Sequence, residues 1–176
     1  LCKQLLAQFD IAVGSHVGRI GRVAWEPPGH SEPAAMLARA EESDVRCADP
    51  ETAEAMLQEI RDAAKDGDTL GGVFEVVARG VPVGLGSHVS WDRRLDARIG
   101  AAMLSIQAMK GVEIGLGFEA AGLPGSLVHD EISVDPAQRR AGGFRRHRNS
   151  AGGLEGGMTT GEPLVVRVAM KPLSSL

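Results

Sequence analysis

Five glycines fall within ten residues near the end of the chain, in Gly152-Gly153-Leu154-Glu155-Gly156-Gly157-Met158-Thr159-Thr160-Gly161. Glycine alone reaches positive φ without steric cost, and it loses more conformational entropy on folding than any other residue. Such density is kept where another backbone or a ligand must come very close. The alternating strand that follows ends in Lys171-Pro172-Leu173-Ser174-Ser175, which puts a cation and two hydroxyls just past a strand end. From these residues alone two readings stand: a site for an anionic, flat ligand, or a glycine-rich hairpin under tight packing.

Composition narrows the class. The 176 residues are 43% hydrophobic, with 23 glycines and 9 prolines, as expected of one globular domain or a piece of a larger one. Four Phe, two Trp and no Tyr argue against a stacking platform for single-stranded nucleic acid. A net charge of -4 gives no general basic footprint for DNA. Cys2 and Cys47 are too few and too far apart for a disulfide scaffold or a zinc site, so a reducing, cytoplasmic setting is expected. No apolar run approaches the roughly 20 residues of a membrane-spanning helix, and no signal-peptide pattern is present. The chain does not begin with Met, and Leu1 to Ala7 reads as the tail of a helix, so an internal fragment is expected.

Along the chain, Ile11 to Trp25 alternates well enough to predict one long strand, with Gly14, Gly18 and Gly21 as bulges or close approaches and His16 as a structural residue. A short helix is expected over residues 31–42. Asp49-Pro50-Glu51-Thr52 opens a second helix, with Asp49 as N-cap and Pro50 at the first helical position, and Gly67 ends it. Ala53, Met56, Leu57, Ile60 and Ala64 form its apolar face. A strand is expected from Thr69 to Arg79. A slim, alanine-rich helix from about Trp91 to Met109 suits burial between layers, and Met56, Met103 and Met109 read as core filler. Val112 to Ile114 and Leu127 to Ile132 read as strands, and residues 135–148 as a polar loop.

Few side chains offer self-contained chemistry. In a strand, His129 and Glu131 would share a side while Asp130 faces away. No nucleophile elbow or metal-spaced histidine pair accompanies them. Gly80 to Gly86 contains no GxGxxG, which excludes a Rossmann reading. Arg139, Arg140, Arg145, Arg146, His147 and Arg148 form a basic cluster that is either a phosphate site or a solvated loop. The turns around Gln107-Ala108, Gly156 and Lys171 to Ser175 could hold a phosphate or the polar edge of a ring with backbone amides.

Six blocks, in this order, resemble chorismate synthase: Gly-Asp-Thr-Leu-Gly-Gly-Val (67–73), Gly-Val-Pro-Val-Gly-Leu-Gly (80–86), Ile-Gln-Ala-Met-Lys-Gly-Val-Glu-Ile-Gly-Leu-Gly-Phe (106–118), Gly-Ser-Leu-Val-His-Asp-Glu-Ile (125–132), Asn-Ser-Ala-Gly-Gly-Leu-Glu-Gly-Gly-Met-Thr-Thr-Gly (149–161) and Ala-Met-Lys-Pro-Leu-Ser-Ser (169–175). The resemblance implies an α+β fold, part of a β-α-β sandwich with helices packed between antiparallel sheets, residues 1–176 being a central fragment of that single domain. It implies a carbon–oxygen lyase of the shikimate pathway, active in aromatic amino acid biosynthesis as a cytoplasmic homotetramer. The reaction is the 1,4-anti-elimination of phosphate from 5-enolpyruvylshikimate 3-phosphate to chorismate. Reduced FMN is required, the flavin being reduced by NADPH on the enzyme or by an external reductase. Neither nucleic acid nor membrane is an implied partner.

Carried over position by position, FMN contacts are expected at Gln107, Ala108, Gly156, Lys171, Pro172, Leu173, Ser174 and Ser175. Lys171 would offset flavin or phosphate charge, the serine hydroxyls and loop amides would hold polar edges, and Gly156 would let the backbone approach. Leu173 departs from the Thr or Ile common in the family. The family's Gly-Glu-Ser-His-Gly, Arg-Pro-Gly-His-Ala-Asp and Ser-Ala-Arg-Glu-Thr motifs do not occur, and none of His16, His30, His88, His129 or His147 matches their histidines. No catalytic residue and no metal ligand is assigned. The chain alone is not expected to turn over; the alternative is an inactive remnant acting as an oligomerising or flavin-binding module. An unrelated anion-binding domain would have the basic cluster at Arg139 to Arg148 as its independent support.

Overall fold

Apolar alternation and helix-start signals resolve into five α-helices and nine short strands among the described residues, which in this computed structural model are 1–27 and 33–174, the side chain of residue 140 excepted. In chain order they are α1 (Cys2–Ala7), β1 (Ala12–Ile20), β2 (Val23–Ala24), α2 (Pro33–Glu41), α3 (Pro50–Lys65), β3 (Gly72–Arg79), α4 (Leu95–Leu104), β4 (Met109–Ile114), α5 (Gly125–Val128), β5 (Ile132–Val134), β6 (Phe144–Arg146), β7 (Leu154–Glu155), β8 (Met158–Thr159) and β9 (Leu164–Met170). One sheet has the order β2-β1-β3-β9-β4, and two antiparallel hairpins pair β5 with β6 and β7 with β8. The fold class is α+β. The chain divides into two compact units, Leu1–Val13, Val77–Ser105 and Val112–Val166 in the first, Gly14–Val76, Ile106–Gly111 and Arg167–Leu176 in the second.

The second unit is built on α3. Asp49 takes an extended conformation and its carboxylate accepts from the Thr52 amide at 2.8 Å and the Thr52 hydroxyl at 2.6 Å, satisfying a donor the helix cannot satisfy itself. These two bonds hold the Asp49 carboxyl below the usual carboxylate range. Met56 is fully buried on the inner face, in a cluster with Val45 and Cys47, and Val17, Ile20, Val23, Trp25, Ala53 and Leu57 pack around it. Burial pushes the Cys47 thiol up. His16 is buried as a structural residue: its Nε2 lies 3.2 Å from Glu75 Oε1 and its ring meets Trp25 edge-on at 5.6 Å. The first unit has its own cluster, Val81, Leu154 and Leu164, with Ile11, Ala78, Leu95, Ile99 and Ile114 against it.

Several elements differ from expectation. The long strand over Ile11 to Trp25 is a hairpin, because Gly21 at φ +53 turns the chain so that Arg19 faces Ala24 and Ile20 faces Val23. Residues 31 and 32 of the first expected helix lie outside the described residues. The expected Trp91 to Met109 helix shortens to α4: Ser90 accepts from the amides of Arg93 and Arg94, making a turn at one end, and Ala108 at φ +69 leaves helical space at the other. None of its residues is fully buried: Leu95 and Ile99 pack against the first unit's cluster, while Leu104 is exposed, so the slim face expected between layers is only half covered in this chain. The polar loop over 135–148 contains β6, paired with β5 through Ser133 and Arg145. The strand expected from Leu127 is instead the short helix α5, which removes the shared face proposed for His129 and Glu131.

Met56→Ala is expected to destabilise the chain by about 2–5 kcal/mol, read as a lower urea midpoint, because the site is closed on all sides. A depressed folded-state pKa means that the Asp49 cap contributes stability above its unfolded pKa and loses it as pH falls through the folded value. The difference in urea midpoint between the wild-type chain and Asp49→Ala should therefore narrow once pH drops below about 3.9, the ordinary Asp value.

Candidate functional site

In the second unit the chain leaves β9 at Met170 and turns through Lys171, Pro172, Leu173 and Ser174. This turn is pinned at its first residue, where the Lys171 amide donates to the Ala108 carbonyl at 3.0 Å. The bond brings together two of the segments expected to contact FMN, Gln107-Ala108 and Lys171 to Ser174. Ala108 holds φ +69, a region non-glycine residues seldom occupy and one that clusters at ligand sites. Gln107 is exposed in the connection from α4 to β4, and Leu173 is 58% exposed. Lys171 Nζ reaches the Pro172 carbonyl only at 3.5 Å, a contact too long to occupy the ammonium fully. Pro172 and Ser174 are exposed, and Ser175 lies outside the described residues.

A third segment touches the same turn. The Thr69 hydroxyl donates to the Leu173 carbonyl at 2.7 Å. Two residues on, a Cβ added at Gly71 would stand 2.5 Å from the Met170 carbonyl and 3.1 Å from the Pro172 nitrogen, so only glycine fits. An apolar cavity of about 450 Å³ is walled by Gly71 and Met170 together with Val17, Ile20, Ile60 and Phe74, among others. Sequence reasoning assigned no site role to Thr69. Its position in a block shared with the family was the available signal.

Gly156 sits in the first unit, in the two-residue loop that closes the β7–β8 hairpin where Glu155 faces Met158. Gly156 and Gly157 have φ +58 and +84, the backbone of a type I′ turn. Their surroundings differ. A Cβ at Gly156 would meet nothing within 4 Å, whereas one at Gly157 would lie 2.8 Å from the Ser87 carbonyl and from Arg94 Cγ. Gly157 is thus a packing residue, and Gly156 faces open space.

Three of the remaining polar candidates, Asp130, Arg146 and Arg148, are occupied structurally. Asp130, 9% exposed, accepts from the amides of Ser150 and Ala151 at 2.8 and 3.2 Å. Within the basic cluster, Arg146 binds the Glu155 carboxylate at 2.7 Å and the Thr160 carbonyl at 3.3 Å, and Arg148 binds the carbonyls of Ser126 and His129. Among the described residues no group of three or more His, Cys, Asp or Glu is placed to hold a metal ion, and no helix is long and apolar enough to cross a membrane.

Comparison with known proteins adds the family. The family model for chorismate synthase matches residues 1–176. Chorismate synthase of Symbiobacterium thermophilum is 56% identical over 176 residues, all of this chain and 44% of that protein. The Brevibacillus brevis protein of the same name is 53% identical, again over all of this chain and 44% of the relative. A crystal structure of chorismate synthase superposes with a TM-score of 0.90 at 49% identity, covering 98% of this chain and 52% of the other. The chain therefore spans about half the length, or less, of the proteins it matches.

The two hairpin glycines should separate on substitution. Gly156→Ala is expected to cost about 1 kcal/mol, the left-handed penalty alone. Gly157→Ala should lower the urea midpoint further, because its methyl must also displace Ser87 and Arg94.

Proposed function

The chain belongs to the chorismate synthase family, and we propose that it forms the central part of a lyase converting 5-enolpyruvylshikimate 3-phosphate to chorismate with loss of phosphate, using reduced FMN. The observation that carries the flavin assignment is the Lys171 to Ala108 hydrogen bond at 3.0 Å. It supports a single binding wall made from segments far apart in sequence. The groups on that wall suit a phosphorylated, planar, polar-edged molecule: an incompletely engaged ammonium at Lys171, the Ser174 hydroxyl, and an exposed Gln107 next to a backbone held at positive φ.

When bound, reduced FMN would supply electron density to the substrate as phosphate departs. This chain's residues bind and orient. Lys171 places a positive charge where flavin or phosphate charge must be offset, which strengthens hydrogen bonds made there. Ser174 offers a hydroxyl donor past the strand end, and Gln107 and Ala108 present backbone and amide groups to a ring edge. Gly156, in its own unit, leaves room for a ligand to approach its backbone. No residue among these 176 is assigned to proton transfer, and the chain alone is proposed to be inactive. Assembly as a homotetramer in the cytoplasm completes the reading, with NADPH or an external reductase as source of reducing equivalents.

The test is a chimera in which these 176 residues replace the matching segment of the Symbiobacterium thermophilum relative. Under anaerobic conditions with reduced FMN it should form chorismate from the enolpyruvyl substrate, and Lys171→Ala should raise the FMN dissociation constant about tenfold, equivalent to ~1.4 kcal/mol. A folded chimera that binds FMN but forms no chorismate would refute the activity. A chimera that binds no FMN would refute the cofactor.

A further inference from the structure

The Gly67 to Val73 block is shared with the family, yet none of its residues is among the positions expected to contact FMN. Its geometry gives it a task. The block begins where α3 ends: Gly67 takes φ +68 and the Asp68 amide donates back to the Ala63 carbonyl at 2.9 Å, so the base of the segment is fixed to the helix. The Asp68 carboxylate then accepts from the Thr69 amide at 2.7 Å, which sets the Thr69 backbone. Thr69 in turn donates its hydroxyl to the Leu173 carbonyl at 2.7 Å. Gly71 lies flush against Met170 and Pro172, as the Cβ distances of 2.5 and 3.1 Å require, and its own carbonyl accepts from the Gly21 amide at 2.9 Å. The segment was expected to be strand from Thr69 onward. The structure starts β3 only at Gly72, after the Thr69 hydroxyl has bonded the Leu173 carbonyl and the Gly71 carbonyl the Gly21 amide.

We propose that Thr69 is a positioning residue of the flavin turn: its hydroxyl holds the Leu173 carbonyl and so fixes where Lys171 and Ser174 present their ammonium and hydroxyl. The turn has two tethers at its ends, the Lys171 amide on Ala108 and the Leu173 carbonyl on Thr69. Between them Pro172 fixes its own φ, leaving few free dihedrals. Cutting the second tether releases Leu173 and Ser174 while the first still anchors Lys171. A hydroxyl is required and the methyl is not. Serine should serve, and isosteric valine should fail. The inference rests on the flavin reading of the same turn.

The experiment compares wild type, Thr69→Ser, Thr69→Val and Thr69→Ala by two measurements, backbone NMR order parameters of residues 170–174 in the 176-residue chain and quenching of oxidised FMN fluorescence in the chimera described above. Val and Ala should lower the order parameters of Leu173 and Ser174 into the flexible range, below about 0.6, with α3 unchanged, and weaken FMN about fivefold, the loss of one hydrogen bond's net contribution. Ser should keep the order parameters of wild type and an FMN affinity within about twofold of it. Order parameters that do not respond to Val or Ala overturn the tether. A loosened turn with unaltered FMN affinity overturns the positioning role. A wild-type chimera that quenches no FMN at all overturns the flavin reading itself, and the positioning role with it, which distinguishes that failure from the other two.

Discussion

At the glycine junction of the first unit, backbone meets backbone with no side chain between. At the end of β4, Gly115 donates to the Val165 carbonyl at 3.0 Å and Leu116 to the Ser150 carbonyl at 2.9 Å, while Val165 donates to Gly152 at 3.1 Å. A Cβ on Gly152 would lie 2.6 Å from the Gly115 Cα, and one on Gly115 would lie 2.7 Å from the Ala151 carbonyl carbon. Both glycines also have positive φ, so steric room and backbone conformation demand the same residue. Asn149 closes the arrangement, donating to the Pro163 carbonyl and accepting from the Gly153 amide, each at 2.8 Å. The β7–β8 hairpin and the start of β9 hang from this junction. The buried alternation of Leu164 and Val166 along β9 then has a fixed register.

The glycine-rich stretch was legible as a place of close approach because its composition leaves no other use for the glycines, but tight packing and an open ligand face could not be separated there. The structure separates them residue by residue: Gly152, Gly153 and Gly157 are crowded, Gly156 is not. The α3 start was equally legible, since N-cap, Pro and first-turn Glu form a local code independent of the rest of the chain. Where local pattern and tertiary need diverged, the sequence misled. Period-two alternation runs straight through Gly21, and nothing local says that the strand folds back there. The apolar period of α4 extends beyond its ends because Met109 is apolar for the sake of β4.

The candidate site was legible by resemblance and hardly at all from residue chemistry. Gln107, Ala108 and Lys171 carry no motif that points from one to the other; their meeting depends on strand order, β9 lying beside β4. Thr69 is harder still. A hydroxyl bound to a carbonyl 104 residues away leaves no periodic or spacing signal. In His129-Asp130-Glu131, where the sequence offered no nucleophile elbow or metal-spaced pair, Asp130 has a structural task, holding two amides of the glycine junction.

The turn at Lys171 has a consequence for the order in which this chain assembles. Its tethers reach back to residues 108 and 69, so closing them encloses far longer loops than any contact within α3 or the β7–β8 hairpin. Helix and hairpin can form from neighbours in sequence, but the turn has no shape until the second unit's strands have found one another. The wall proposed for the flavin would therefore be a late product of folding, completed after helix and hairpin have formed.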